Sequence, residues 1–207
     1  VVVGYRYFMT FARDRILFPF GFGLSYTDFA LEGQEACLEQ PAGSGRIQDA
    51  AVRFSVRVRN SGASYRGKEV VQLYYEAPQG KLGKASRCLA AFAKTKELAP
   101  GEAEELELRF PVRDMASYDE SGLTGHRSCL LLEKGDYVIY AGTDSLSAAP
   151  VLLDGAASLH LDEDIVIEQH EQALAPRASF PVLRPRPAVG GSASPFVPAY
   201  RFQARAN

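Results

Sequence analysis

"AVRFSVRVRN", residues 51–60, alternates without a break: Val52, Phe54, Val56 and Val58 fall on one side, Arg53, Ser55, Arg57 and Arg59 on the other. A period of two residues belongs to a strand with one face in a core and one in water. Short runs of similar character follow at regular intervals. They are "KEVVQLYYEAP" (68–78), "CLAAFAKTKEL" (88–98), "EELELRF" (104–110), "CLLLEKG" (129–135), "DYVIYAG" (136–142) and "APVLLDGAASLHL" (149–161). Turn residues separate them, as in "NSGASYRG" (60–67) and "APGE" (99–102), and none of these runs has the 3.6-residue period of a long helix. Six or seven short strands joined in this way predict an antiparallel β-sandwich of the immunoglobulin-like kind.

Two details refine that prediction. In this topology the second strand lies beside the fifth. The outward row Arg53, Arg57, Arg59 should therefore neighbour Glu105, Glu107 and Arg109. In "LEKGDY" (132–137) a tyrosine stands just after a turn and enters a late strand. Tyr137 is thus the candidate for a tyrosine corner, its hydroxyl tied to upstream backbone.

The flanks read differently. Residues 1–29 are expected to form a strand, a turn near Ala12–Asp14 and a glycine-aromatic loop, "LFPFGFGLSY" (17–26), which has no charge between Arg15 and Asp28. A loop this apolar needs a packing partner. Beyond "DEDIVIEQHEQALAP" (162–176), six of the twelve prolines fall between Pro176 and Pro198, the composition of a linker or frayed end.

Composition excludes several function classes. At 46% hydrophobic and 23% charged, the 207 residues have the make-up of a globular protein. The net charge of −2 provides no basic excess for nucleic acid, and no apolar run is long enough for a membrane-spanning helix. The opening "VVVGYRYF" has no signal-peptide pattern and reads as the start of a piece of a longer protein, so the sequence assigns no compartment. Cys37, Cys88 and Cys129 are too dispersed for a zinc site and are expected to be free thiols. His126, His160 and His170 form no metal-binding pair, and neither a metal nor a cofactor is expected. Asp114, Asp119, Glu120, Glu133, Asp136 and the trio Asp162–Asp164 are scattered acids of the kind that cap and solvate turns. Tyr74, Tyr75, Tyr118 and Tyr140 could form a sugar-stacking platform, but in a sandwich such residues more often pack.

Taken in order, "VGYRYF", "LFPFGFGLSYTDF", "VRVRNSGASYRGKEVVQLYYEAP", "LAPGEAEELELRF", "RDMASYDE" and "EKGDYVIYAGTDS" resemble the C-terminal region of glycoside hydrolase family 3, the β-glucosidase and β-xylosidase group. The resemblance covers about residues 1–145. It implies that residues 1–27 end an α/β-sandwich domain and cross out of it, Val1–Thr10 being a late strand. Residues 28–165 would be a fibronectin type III-like domain, and 166–207 a linker or disordered tail. Phe18, Phe20, Phe22 and Tyr26 would fill the interface between the two domains, with Gly21 and Gly23 allowing a tight passage.

The resemblance also implies retaining hydrolysis of a β-glucoside or related sugar by two carboxyl groups. The nucleophile would be an aspartate on a (β/α)8 barrel, and the acid/base a glutamate on the α/β-sandwich domain. Neither motif has a match here, so no residue of this chain is assigned a catalytic role. The partners implied are those two domains of the same enzyme. Met9 departs from the family pattern, which often has an aspartate there, and "SGLTGHRSC" (121–129) is longer than the usual turn. The alternative is a free-standing carbohydrate-binding or adhesion module, although such a module has no use for an apolar lead-in. On this reading a sandwich freed of residues 1–26 should be more soluble.

Overall fold

The computed structural model describes residues 2–171, 178, 181–185 and 196–201. One short helix, α1 (Tyr5–Phe11), precedes the strands β1 (Phe29–Glu39), β2 (Ala51–Asn60), β3 (Val70–Glu76), β4 (Cys88–Lys94) and β5 (Ala103–Pro111). The chain continues through β6 (Ser117–Asp119), β7 (Cys129–Leu132), β8 (Gly135–Gly142), β9 (Ala149–Pro150), β10 (Leu159–Leu161) and β11 (Ile165–Gln169). Two further strands, β12 (Pro181–Pro185) and β13 (Phe196–Arg201), pair antiparallel with each other. They lie in the expected tail, whose other positions beyond 171 fall, apart from 178, outside the described residues.

One sheet runs β1-β2-β5, and a second runs β10-β8-β3-β4 with β9 on β8. Between them Val52, Phe54, Val56 and Val58 meet Leu106, Leu108 and Phe110 of the same sheet and Leu73, Tyr137 and Ile139 of the other. This is the predicted β-sandwich, and its core is the row that the period of two selects. A third sheet, β11-β7-β6, stands beside it. β11 starts at Ile165 and pairs with β7 through Gln169, so the expected division between 165 and 166 falls inside a strand.

β1 lacks a continuous period of two because its alternation changes phase. Phe29 and Leu31 face the core from odd positions, Ala36 and Leu38 from even ones. Between them a bulge places Glu32 opposite Arg57 and Glu35 opposite Ser55, one residue extra on β1. Gly33, at φ +57°, takes the left-handed turn that this requires.

β2 and β5 do pair, with Arg57 opposite Glu105 and Ser55 opposite Glu107. Most of the outward arginines, however, find their carboxylates on β1. Glu32 binds Arg59 at 2.6 Å, and Glu39 binds both Arg53 at 2.8 Å and Arg109 at 3.1 Å. Across β2 and β5 one pair forms, Arg53 with Glu107 at 3.7 Å. Arg53 and Arg109 stand directly opposite each other, and Glu39 reaching to both offsets that repulsion.

The first ten residues are a correction. Val1–Thr10 were expected as a strand, but Tyr5–Phe11 is helical. Aromatic and β-branched content favours a strand locally. Tyr5, Met9 and Ala12, spaced four and three apart, instead form one helical face turned to the protein, with Met9 and Ala12 buried.

Candidate functional site

The outer face of the second sheet is where the lead-in goes. On β3, Val71 and Leu73 enter the core while Gln72 and Tyr74 face outward, yet both outward residues are buried. Helix α1 covers Tyr74, and the turn at Gly21 covers Gln72. The Tyr5 ring meets Tyr74 edge-on at 6.2 Å, and its hydroxyl accepts the Leu89 N–H at 2.8 Å. Ser86 donates its hydroxyl to the Met9 carbonyl (2.9 Å) and its N–H to Thr10 Oγ1 (3.0 Å). Met9, the residue that departs from the family pattern, is thus a buried contact with its carbonyl satisfied by Ser86.

The glycine-aromatic stretch lies beside the helix. Phe22 N–H donates to Pro19 O, closing a turn in which Gly21 sits at φ +92°, a position that favours glycine. Phe20 stacks on Tyr5 at 4.6 Å, and its carbonyl accepts the Ser145 N–H at 2.9 Å. A Cβ on Gly21 would lie 2.2 Å from Gln72 Nε2 and 2.8 Å from Thr143 O. Gln72 Nε2 donates to that same Thr143 carbonyl, and Gln72 Oε1 accepts from the Tyr74 hydroxyl. Gly23 differs, since nothing lies within 4 Å of a Cβ there and its φ is not positive.

The other side of the stretch meets solvent. Leu17, Phe18, Leu24 and Tyr26 are 88%, 72%, 93% and 89% exposed. Phe18 packs on Phe22 (5.0 Å) and Tyr26 on Tyr65 (5.8 Å) without either pair being covered. A groove of about 430 Å³ opens between α1 and residues 15–20, walled by Tyr5, Phe8, Ile16, Phe18 and Phe20, with Ser145 also lining it. The segment is therefore two-sided, docked on the sandwich through Tyr5, Met9, Phe20 and Gly21 and open through Leu17, Phe18, Leu24 and Tyr26. Its exit is fixed by Asn60, which was not singled out in the sequence. Fully buried, Asn60 accepts from Thr27 Oγ1 (2.6 Å) and Gly62 N (3.1 Å), and it donates to the Tyr65 and Leu98 carbonyls (both 2.9 Å).

The remaining candidates disperse. The four tyrosines make no platform, because Tyr74 is buried, Tyr140 lies under the Arg87 guanidinium at 3.2 Å, and Tyr118 stands on β6 in another sheet. Asp119 spends both oxygens on its own loop, accepting from the backbone of Ser121, Gly122, Leu123 and Thr124 and from the Ser121 and Thr124 hydroxyls. Burial pushes its pKa up, but the donors of Thr124, Ser121 and Gly122 outweigh this and hold the carboxyl below the ordinary aspartate range. Glu133 is likewise consumed, by Lys84 at 2.5 Å and the Lys81 N–H at 2.6 Å. These two buried carboxylates brace loops and are not free to transfer protons. Asp114, Asp136 and Asp162 are exposed. Tyr137, buried, donates to the Glu133 carbonyl at 3.0 Å. All three cysteines are free, and no metal-holding cluster occurs among the described residues.

Comparison with known proteins decides the family. The fibronectin type III-like domain matches residues 69–145. A β-glucosidase of Ruminococcus albus is 48% identical over 180 residues, covering 87% of this chain and 17% of that protein. The solved β-glucosidase of Paenibacillus barengoltzii superposes with a TM-score of 0.89 at 48% identity, covering 100% of this chain and 22% of the other. The GH3 β-glucosidase of Bifidobacterium adolescentis superposes over 74% of this chain and 21% of the other, at 29% identity and a TM-score of 0.58. The chain belongs to glycoside hydrolase family 3. It spans about a fifth of the length of these family 3 relatives. A region contained in larger β-glucosidases does not favour the free-standing module.

Proposed function

We propose that this chain is the fibronectin type III-like part of a retaining β-glycosidase of the β-glucosidase type, and that its role is structural. It braces the α/β-sandwich and (β/α)8 barrel domains, which carry the acid/base and the nucleophile acting on a β-glucoside or related sugar. The two-sided segment at residues 16–26 supports this reading most strongly. It is held on the sandwich by specific hydrogen bonds and stacking, while large apolar side chains face away from it. Phe18, Phe22 and Tyr26 belong to that outward interface in this reading. Phe20 and Gly21 secure the segment from below, and Tyr137 is the tyrosine corner of the domain. The domain extends to about residue 170, where the His170 N–H still bonds to the Ser128 carbonyl at 2.8 Å.

The test is an aryl β-glucoside assay on the purified chain beside the full-length enzyme. No turnover is expected from the chain alone, whose two buried carboxylates are fully engaged. Reproducible turnover that survives further purification would overturn the structural role.

A further inference from the structure

Two buried side-chain atoms among the described residues lack any hydrogen-bond partner: Arg87 Nε and Ser145 Oγ. A buried donor without an acceptor is uncommon and asks for an explanation. Both lie on the same side of the molecule. Arg87 stacks over Tyr140, which faces away from the core between the core residues Ile139 and Ala141, and Ser145 lines the groove beside Phe20. That is also the side on which Leu17, Phe18 and Leu24 are exposed.

Arg87 is 7% exposed. Its one ion pair is loose, Nη1 to Glu76 Oε2 at 3.6 Å, and that same oxygen already accepts the Tyr140 hydroxyl at 2.9 Å. The guanidinium is oriented by the Tyr140 ring and desolvated, but among the described residues nothing accepts from its Nε–H. Burying a charge without full pairing opposes folding, and a planar fork held in this way matches a carboxylate. The lead-in is itself basic, since residues 1–26 carry Arg6, Arg13 and Arg15 against a single acid, Asp14.

We propose that Arg87 is the polar anchor of the domain interface and receives a carboxylate from an otherwise apolar surface of the neighbouring domain of the same enzyme. This rests on the interface reading given above. The neighbouring domain is the occupant that the relatives' length supports, because about four-fifths of each lies outside the region matched here. Its carboxylate completes Arg87 while its apolar side chains cover Leu17, Phe18 and Leu24 and fill the groove that Ser145 lines.

The experiment compares Arg87→Met, Arg87→Lys and the control Leu17→Ser/Leu24→Ser in the chain alone and in the full-length enzyme, by thermal melting. In the chain alone, Arg87→Met should keep the melting temperature or raise it, and Arg87→Lys, which keeps the charge but not the planar stack on Tyr140, should lower it less than in the full-length enzyme. In the full-length enzyme, each should lower it by about 1 °C or more beyond its effect in the chain alone. The leucine variant should be neutral in the chain and destabilising in the enzyme. If the leucine variant is neutral in both, the interface reading itself falls, and this proposal with it. If the leucine variant behaves as expected but the Arg87 variants cost the same in both proteins, or nothing in either, the anchor alone is overturned. Arg87→Lys retains charge and stem while losing the Nε–H, so the comparison survives if Arg87→Met does not fold.

Discussion

Gly21→Ala is the substitution that most directly questions how the apolar segment is held. Two penalties arise if the backbone stays in place. A φ of +92° disfavours any residue with a Cβ, by about 1–2 kcal/mol. The Cβ would also lie 2.2 Å from Gln72 Nε2, so Gln72 must swing away and give up its bonds to Thr143 O and Tyr74 Oη. Breaking two buried bonds at about 1–3 kcal/mol each brings the total to about 3–8 kcal/mol. The Thr143 carbonyl, 2.8 Å from the same Cβ, is backbone and cannot swing.

A cheaper escape exists. The segment can lift off, losing the Ser145–Phe20 hydrogen bond and the Phe20–Tyr5 stacking. Together these are worth about 1–3 kcal/mol. The smaller figure wins, so Gly21→Ala is expected to release residues 17–24 locally and not to unfold the sandwich. The melting temperature should fall by about 3–10 °C, and hydrogen exchange should show the Ser145 amide losing its protection. Gly23→Ala is the control, with no atom within 4 Å of its Cβ, and should change stability by no more than about 0.5 kcal/mol. Retained Ser145 protection in Gly21→Ala, or equal losses from the two substitutions, would refute the reasoning.

Further outcomes follow from the same geometry. Asn60→Ala should cost about 2–4 kcal/mol in urea unfolding, because the Tyr65 and Leu98 carbonyls lose their donor and the Gly62 N–H its acceptor. Asp119→Asn should cost about 1–3 kcal/mol, the amide group meeting the Thr124 donors that Oδ2 now accepts. Because the folded pKa of Asp119 is depressed, its contribution is present above the unfolded value, about 3.9, and is lost as pH falls through the folded one. Acid unfolding profiles of the wild type and Asp119→Asn should therefore converge below about pH 4. His160 works in the opposite direction. Its bond to Asp136 raises its pKa, so that contribution is present at low pH and lost as pH rises through the folded value. Leu17→Ser/Leu24→Ser should reduce self-association of the chain in sedimentation without moving its melting temperature. Deleting residues 1–26 should instead lower it, because Tyr74 and Gln72 lose their cover.

Much of the sandwich was legible because β2 and β5 keep strict alternation and charged outer rows. β1 was hidden by a single extra residue at Gly33 that reversed the parity of its core side chains. Helix α1 is not legible in the sequence because its residues favour strands locally, while its helical face is defined by what lies beneath it, Tyr74 and residues 86–89. The Arg87 environment has no sequence pattern at all. It depends on Tyr140, Glu76 and Arg87 converging from three separate stretches of chain.

The two sheets differ in what they turn outward. β2 and β5 present Arg53, Arg57, Glu105 and Glu107, charges suited to water. β3 and β8 present Gln72, Tyr74, Val138 and Tyr140, uncharged and large, with the charges Glu76 and Asp136 confined to one end of the row. An antiparallel sheet open to solvent keeps a polar outer row, whereas one covered on both faces loses it. "VVQLYYE" therefore states that the second sheet is covered twice, once by the first sheet and once from outside. Helix α1 and residues 16–21 provide part of that outer cover, and they leave Arg87 Nε without an acceptor among the described residues and their own far side apolar. Removing the lead-in to obtain a cleaner domain would thus strip a layer of the fold. A second layer, supplied by the neighbouring domain, would complete the same face.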